Sequence, residues 1–150
     1  MLASLGIVAT IAFTQSAHAI EVSGAWIREA PPSARMIGGF MVIRNNSKQD
    51  VFLVRAQSKR VEHIEIHRTV HEEGMARMVR QNEVKIPANT SVTFKPGDYH
   101  LMMAAPKPPL KAGDKVNITL EFNEGEKVDV VYTVKKMKMM NHDEMPHHHH

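Results

Sequence analysis

The segment IEIHRTVHEEGMARMVR, residues 64–80, begins with the alternating run IEIH and continues after a turn with the extended run MARMVR, whereas PGDYHLMM, residues 96–103, continues after a Pro-Gly turn as a short alternating strand. A period of two is typical of β-strands, in which successive side chains lie on opposite faces. In the second segment, Tyr99, Leu101 and Met103 therefore share one face, while His100 and Met102 share the other. Both segments are predicted to be strands that bury one face and present imidazole or thioether groups on the other.

The sequence HEEG, residues 71–74, is a turn signal between two extended runs, so the first segment is interpreted as a β-hairpin. If Glu72 and Glu73 form a two-residue loop, His67 lies directly opposite Met78. A glycine bulge at Gly74 would shift this register by one residue. The hairpin is thus expected to bring one imidazole near one thioether, with the register left open.

Thioether and imidazole donors together favour Cu(I), because thioether sulfur is a soft ligand, whereas Mg²⁺ and Ca²⁺ prefer oxygen. The chain has no cysteine, which excludes a blue-copper electron-transfer site and a structural zinc site built on thiolates. Methionine does not titrate, but histidine must be neutral to bind a metal. Metal affinity is therefore expected to weaken below about pH 6.5.

Each of these residues also has an ordinary structural interpretation. A methionine on a strand is usually a core residue, and we expect this for Met36, Met41, Met75 and Met103. A histidine on a strand is usually a surface residue, and this is the favoured interpretation of His63 and His71, which flank the candidate site. The alternative to a metal site is that the two remaining histidines and two remaining methionines of these segments do not lie close together in the folded chain.

His67, Met78, His100 and Met102 are separated by ten, twenty-one and one intervening residues. This H-x10-M-x21-H-x-M spacing, with EIH ahead of it and PGDYHLMM at its end, resembles the periplasmic copper(I) chaperones of the PCu(A)C family. The segments AWIREAPPSARMIGGFMVIRN, residues 25–45, and PLKAGDKVNITLEF, residues 109–122, are also similar to that family. The resemblance covers roughly residues 22–134. It implies a cupredoxin-like β-sandwich and a Cu(I) site made by these four residues.

Residues 1–19 have the features of a signal peptide. An apolar run, LASLGIVATIAF, is too short to span a bilayer, and it is followed by AHA at residues 17–19, which is typical of a cleavage site. Cleavage would leave a chain that begins at Ile20 and is not stably inserted in a membrane. The alternative is an uncleaved membrane anchor. We expect export to the periplasm, an oxidising compartment in which a cysteine-free copper site cannot form mixed disulfides.

Residues 20–134 are predicted to form one all-β domain, an antiparallel sandwich of eight or nine strands. Apolar side chains alternate in VNITLEF, for example, and no segment has a convincing helical period. The formal net charge is only +3 and the basic residues are scattered, so the composition indicates no nucleic-acid binding. The protein is expected to be a monomer.

Residues 135–150, KKMKMMNHDEMPHHHH, break the strand pattern and are interpreted as a flexible tail. Their histidines would allow Cu(II) as well as Cu(I) to bind. The alternative for the terminal histidines is a purification tag. The candidate ligands of this second site are Met137, Met139, Met140, His142, Met145, His147, His148, His149 and His150.

The favoured function is a copper carrier, not an enzyme. By resemblance, the acceptor would be the dinuclear copper centre of the cytochrome c oxidase copper subunit, with a Sco-type chaperone as a further partner. The alternative is copper storage or tolerance through the tail. No catalytic residues are predicted, because the sequence has no serine-histidine-aspartate arrangement with a glycine elbow and no phosphate loop.

Overall fold

The structure is a computed structural model that describes residues 18–136, and these residues form ten β-strands without a helix. The expected signal peptide and tail therefore fall mostly outside the described residues. Across residues 18–136 there is no helix with the length and apolar character needed to cross a membrane. The strands are β1 Ile20–Arg28, β2 Met36–Asn45, β3 Val51–Gln57, β4 Ile64–Glu72, β5 Met75–Arg80, β6 Val84–Ile86, β7 Ser91–Phe94, β8 Tyr99–Ala104, β9 Lys115–Phe122 and β10 Lys127–Lys135.

The strands form one continuous hydrogen-bonded sheet in the order β5-β4-β8-β2-β1-β10-β9-β3-β6, and β7 also pairs with β2. Strands that are distant in this order, such as β3 and β4, are in contact, so the sheet folds over and encloses a core between two layers. This confirms the predicted all-β sandwich. The strand count is one or two higher than expected, and β1 pairs with β10 in parallel, so the sheet is not fully antiparallel.

The core lies between the layers and is built from the apolar face of every strand except β5, none of whose residues is buried. In β9 the residues Val116, Ile118, Leu120 and Phe122 are buried, as their alternation predicts. Burying a large aliphatic or aromatic side chain stabilises a fold by about 1.5–3 kcal/mol. The sandwich is therefore stabilised mainly by the burial of these alternating apolar side chains. The side chains on the opposite face of a strand can make other contacts.

The methionines divide into two groups. Met41 and Met103 are buried in the core, as expected, but Met36 and Met75 are 47% and 73% exposed, so the expectation of core positions was wrong for these two. Met75 begins β5, the terminal strand of the sheet, next to the hairpin turn. Met36 begins β2 on the face opposite to that of the buried residue Ile37. A strand position alone did not determine which face became the core.

Candidate metal centre

Strands β4 and β8 place the two predicted histidines side by side. The antiparallel register pairs His67 with His100 and Glu65 with Met102. Paired residues in adjacent strands point to the same face, so all four lie on the face opposite to Ile66 and Leu101, which are buried in the core. The two imidazole rings have centroids 5.8 Å apart and are tilted by 50°. The sequence-based assignment of His67, His100 and Met102 to one surface agrees with this geometry.

The hairpin places Met78 on the same face, but not where the two-residue loop Glu72–Glu73 would have put it. The register pairs Met78 with Thr69, whereas the partner of His67 is Arg80. The direct pairing of His67 with Met78, which was expected only if Glu72 and Glu73 formed the loop, is therefore wrong. The physical reason is the turn, in which Glu73 and Gly74 have φ values of 51° and 76°. Two such residues favour a tight hairpin turn whose twist matches that of the strands.

With this register, Met78 is a diagonal neighbour of His67. Diagonal neighbours on one face of an antiparallel pair lie roughly 7–8 Å apart, which is within reach of a long side chain. Met78 is 57% exposed on the terminal strand β5, whereas His100 is only 4% exposed. The candidate centre therefore has a buried end at His100 and an open end at Met78.

A small aromatic cluster adjoins the buried end. Phe40 is 5% exposed, but it is on the outer face of β2 and does not belong to the main core cluster. Its ring packs against Trp26 with the centroids 4.7 Å apart. The ring also lies over Gly38, where a Cβ atom would come within 3.1 Å of it. Continuing the register of β2 and β8 by one residue beyond the Gly39–Leu101 pair puts Phe40 next to His100 on this outer face.

Each imidazole has one nitrogen in a hydrogen bond. Nε2 of His67 lies 2.8 Å from Oε2 of Glu65, and Nδ1 of His100 lies 3.0 Å from the backbone carbonyl oxygen of Asp98. The other Glu65 oxygen lies 3.5 Å from a guanidinium nitrogen of Arg80. The hydrogen bond from His67 lowers the pKa of the Glu65 carboxyl, and the positive charge of Arg80 acts in the same direction.

The remaining nitrogen of each ring, Nδ1 of His67 and Nε2 of His100, is buried and lacks a hydrogen-bond partner. Burying an unpaired polar atom normally costs about 1–3 kcal/mol, so such atoms call for an explanation. A metal ion would provide one. Because a metal–nitrogen bond is about 2 Å long, an ion bound to one nitrogen of each ring requires centroids no more than roughly 6.5 Å apart. The observed 5.8 Å satisfies this limit.

The other two candidate ligands on this face, Met78 and Met102, carry thioether sulfur, which is a soft donor. Within residues 18–136, no three side chains of the His, Cys, Asp and Glu types gather in a way that could hold a metal ion. His63 precedes β4 and His71 lies near the turn, and both are exposed, as expected. The nine candidate ligands of the tail, Met137 to His150, lie outside the described residues.

Sequence reasoning missed two contributors to the surroundings of the site. Glu65 contacts His67, and its position two residues earlier on the same strand was the available signal. The outward position of Phe40 was not predicted, because the sequence of β2, MIGGFMVIRN, is apolar on both faces.

Residues 20–134 match the model of a family described as "Putative lipoprotein LpqE-like". The chain is 30% identical to "Putative lipoprotein Lxx21020" of Leifsonia xyli subsp. xyli, over 85% of this chain and 76% of that protein. It is 40% identical to "Uncharacterized protein RP573" of Rickettsia prowazekii over 54% of this chain, but it spans only 44% of that protein.

Solved structures share the fold. The Cu(I) form of DR1885 from Deinococcus radiodurans is 34% identical, with a TM-score of 0.65 and 83% of each chain covered. Its apo form is 33% identical, with a TM-score of 0.62, and covers 91% of this chain and 95% of that one. A copper-bound PCuAC domain from PmoF2 has a TM-score of 0.66 over 79% of this chain and 94% of that one. It is 18% identical, so that likeness concerns the fold alone.

Proposed function

Because the chain belongs to the LpqE-like family and is a PCu(A)C-type domain, we propose that it is a copper chaperone that binds Cu(I) through His67, Met78, His100 and Met102. The observation that carries the proposal is the pair of facing imidazoles, each with a buried nitrogen that has no hydrogen-bond partner, on a strand face shared with two thioethers. The resemblance in motif spacing and the Cu(I) form of a relative with 34% identity support the same metal.

The donor set suits a carrier. Two neutral imidazoles and two thioethers hold Cu(I) without adding a negative charge, and the soft sulfurs disfavour Cu(II). This ligand set does not favour redox cycling, so an oxidase or another enzyme fits it less well. The exposure of Met78 leaves one side of the ion open to an incoming ligand, while His100 is held in the protein. Cu(I) could then pass to an acceptor by stepwise ligand exchange.

The location and the acceptor are also part of the proposal. The lipoprotein description of the family and of the Leifsonia relative supports export, and we infer the periplasm from the features of residues 1–19. By resemblance, the acceptor is the dinuclear copper centre of cytochrome c oxidase, with a Sco-type chaperone in the relay. The protein would act as a monomer, without binding nucleic acid.

X-ray absorption on the Cu(I)-loaded chain tests the ligand set, because it distinguishes sulfur neighbours from nitrogen neighbours. We expect two of each. The double variant Met78→Leu with Met102→Leu should lose the tight site, since leucine keeps the apolar bulk but has no donor atom. Met75→Leu is the matched control, because Met75 is also an exposed methionine of β5 but lies on the opposite face. Unchanged Cu(I) affinity in the double variant would remove this assignment.

Copper storage is the second candidate function, and it is favoured by the four methionines and five histidines of residues 135–150. In that case the tail would bind additional Cu(I) or Cu(II). Truncation after Lys136 keeps β10 intact and removes these side chains. A storage protein should lose most of its copper capacity in this variant, whereas a chaperone should keep one tight Cu(I) and its transfer to the acceptor.

A further inference from the structure

We propose that Glu65 and the backbone carbonyl of Asp98 hold the two imidazoles in opposite tautomers, so that the metal-binding atoms are Nδ1 of His67 and Nε2 of His100. This rests on the proposed copper site and adds to it the identity of the bonding atoms and a positioning role for Glu65. The tautomers are a property of the chain before any copper arrives, so they can be measured independently of copper binding.

The hydrogen bond at His67 defines the first tautomer. An ionised carboxylate only accepts hydrogen bonds, so Nε2 of His67, 2.8 Å from the Glu65 oxygen, must carry the proton. A neutral imidazole has one protonated nitrogen, and the lone pair is therefore on Nδ1. Nδ1 of His67 is one of the two buried nitrogens without a partner.

The hydrogen bond at His100 defines the second tautomer, with the opposite result. The backbone carbonyl of Asp98 also only accepts, so Nδ1 of His100, at 3.0 Å, carries the proton. The lone pair is then on Nε2, the other buried nitrogen without a partner. In water, a neutral histidine ring favours the Nε2–H form. The Nδ1–H form of His100 is therefore the diagnostic one, and the burial of the ring helps to maintain it.

Glu65 is suited to a positioning role because it is itself held. Its second oxygen lies 3.5 Å from Arg80, which is the strand partner of His67. The carboxylate is thus held between the ring that it orients and a cation on the next strand. A carboxylate that accepts a hydrogen bond from a metal-binding histidine fixes the ring and raises its basicity, and losing it typically lowers metal affinity 10- to 100-fold.

Long-range proton–nitrogen correlation spectra of the copper-free chain, recorded at a mildly alkaline pH, identify the tautomer of each ring. We expect an unprotonated Nδ1 at His67 and an unprotonated Nε2 at His100. On addition of Cu(I), these two nitrogen signals should shift most. The same tautomer at both residues, or a Cu(I)-dependent shift at Nε2 of His67, would overturn the proposal. Opposite tautomers in a chain that takes up no Cu(I) would instead count against the proposed function alone.

Glu65→Gln tests the positioning role. Glutamine keeps the shape, but its amide can donate as well as accept, so both tautomers of His67 become possible. We expect mixed His67 signals, unchanged His100 signals and a roughly tenfold weaker Cu(I) affinity. Glu72→Gln is the matched control, because Glu72 is on the same strand and lies 3.3 Å from a cation, Arg77, on the same neighbouring strand. Equal effects of the two variants on the His67 signals and on affinity would show that Glu65 has no positioning role.

Discussion

The hydroxyl of Tyr132 donates a hydrogen bond to the sulfur of Met41 in the centre of the core, with 2.7 Å between the oxygen and the sulfur. Both side chains are almost fully buried, and burial raises the pKa of the Tyr132 phenol. The sulfur of Met41 therefore satisfies a polar group that would otherwise lack a partner. The thioethers of Met78 and Met102, in contrast, are on the outer face, where they do not contribute to the core. The fold thus uses the same side chain in two different roles.

Tyr132→Phe should lower the free energy of unfolding by about 1 kcal/mol or less, because a buried donor and its weak sulfur acceptor are lost together. The ring still fills the same volume. Cu(I) affinity should not change, since Tyr132 points into the core. Urea unfolding followed by circular dichroism measures the first effect, and a competition titration with a Cu(I) chelator measures the second. A loss of several kcal/mol would indicate that the hydroxyl has a further role in the core.

Gly74→Ala should weaken both the hairpin and the copper site. Gly74 has a φ of 76°, a conformation that costs an alanine about 1 kcal/mol, and its turn sets the register that places Met78. Gly125→Ala is the control, because Gly125 has a φ of 81° in the turn between β9 and β10, away from the histidines. Both variants should lose similar stability, but only Gly74→Ala should lower Cu(I) affinity. Equal affinities would show that the hairpin register does not matter for binding.

Asp50→Asn should make the free energy of unfolding less dependent on pH in the acidic range. The hydrogen bond from the Ala88 amide lowers the pKa of the Asp50 carboxyl, and Lys85, 3.2 Å away, acts in the same direction. A depressed folded-state pKa adds stability above the unfolded-state value of about 3.9, and this stability is lost as the pH falls through the folded-state pKa. The parent should therefore be more stable than the variant at pH 7, and the difference should shrink below about pH 4. Urea midpoints at pH 7 and pH 3 measure this difference, and an advantage that grows in acid would contradict the stated cause.

The fluorescence emission of Trp26 should change when Cu(I) binds. It is the only tryptophan, and it packs on Phe40, which the register puts beside His100. Neighbouring strands are about 4.8 Å apart, so Trp26 and His100 are separated by roughly two strand spacings. We expect the tryptophan emission to change until one equivalent of Cu(I) is bound. The Met78→Leu and Met102→Leu double variant should show no such change. A flat titration of a parent chain that is known to be loaded would contradict this placement of the aromatic pair.

The sequence predicted much of the fold because alternation is a local signal. Alternation and turn signals predicted an all-β sandwich of eight or nine strands, where ten are observed, and alternation put His100 and Met102 on the face opposite to Leu101. The parallel pairing of β1 with β10 was not predictable in this way, since it joins residues more than a hundred positions apart. The hairpin register depended on whether the positive φ angles fell at Glu72–Glu73 or at Glu73–Gly74, and the presence of a glycine favoured the second.

The assignment of His67, Met78, His100 and Met102 as ligands stays a prediction, and the contacts that surround these side chains were not predicted. Alternation puts Glu65 on the face of His67, but it does not show which residue the carboxylate contacts. The aromatic pair depends on which face of β2 turns away from the core, and MIGGFMVIRN is apolar on both. Gly38 leaves room for the ring of Phe40, a packing requirement that becomes visible only when the backbone is in place.

β5 is the terminal strand of the sheet, and in the described part of the chain β4 is its only neighbour. Of the four proposed ligands, Met78 alone is carried by this strand, whereas the strands that hold the other three are each paired on both sides. Fraying at an edge is among the least costly motions of a folded protein. Peeling of β5 would leave a three-coordinate ion, with a vacancy on the side from which another molecule can approach.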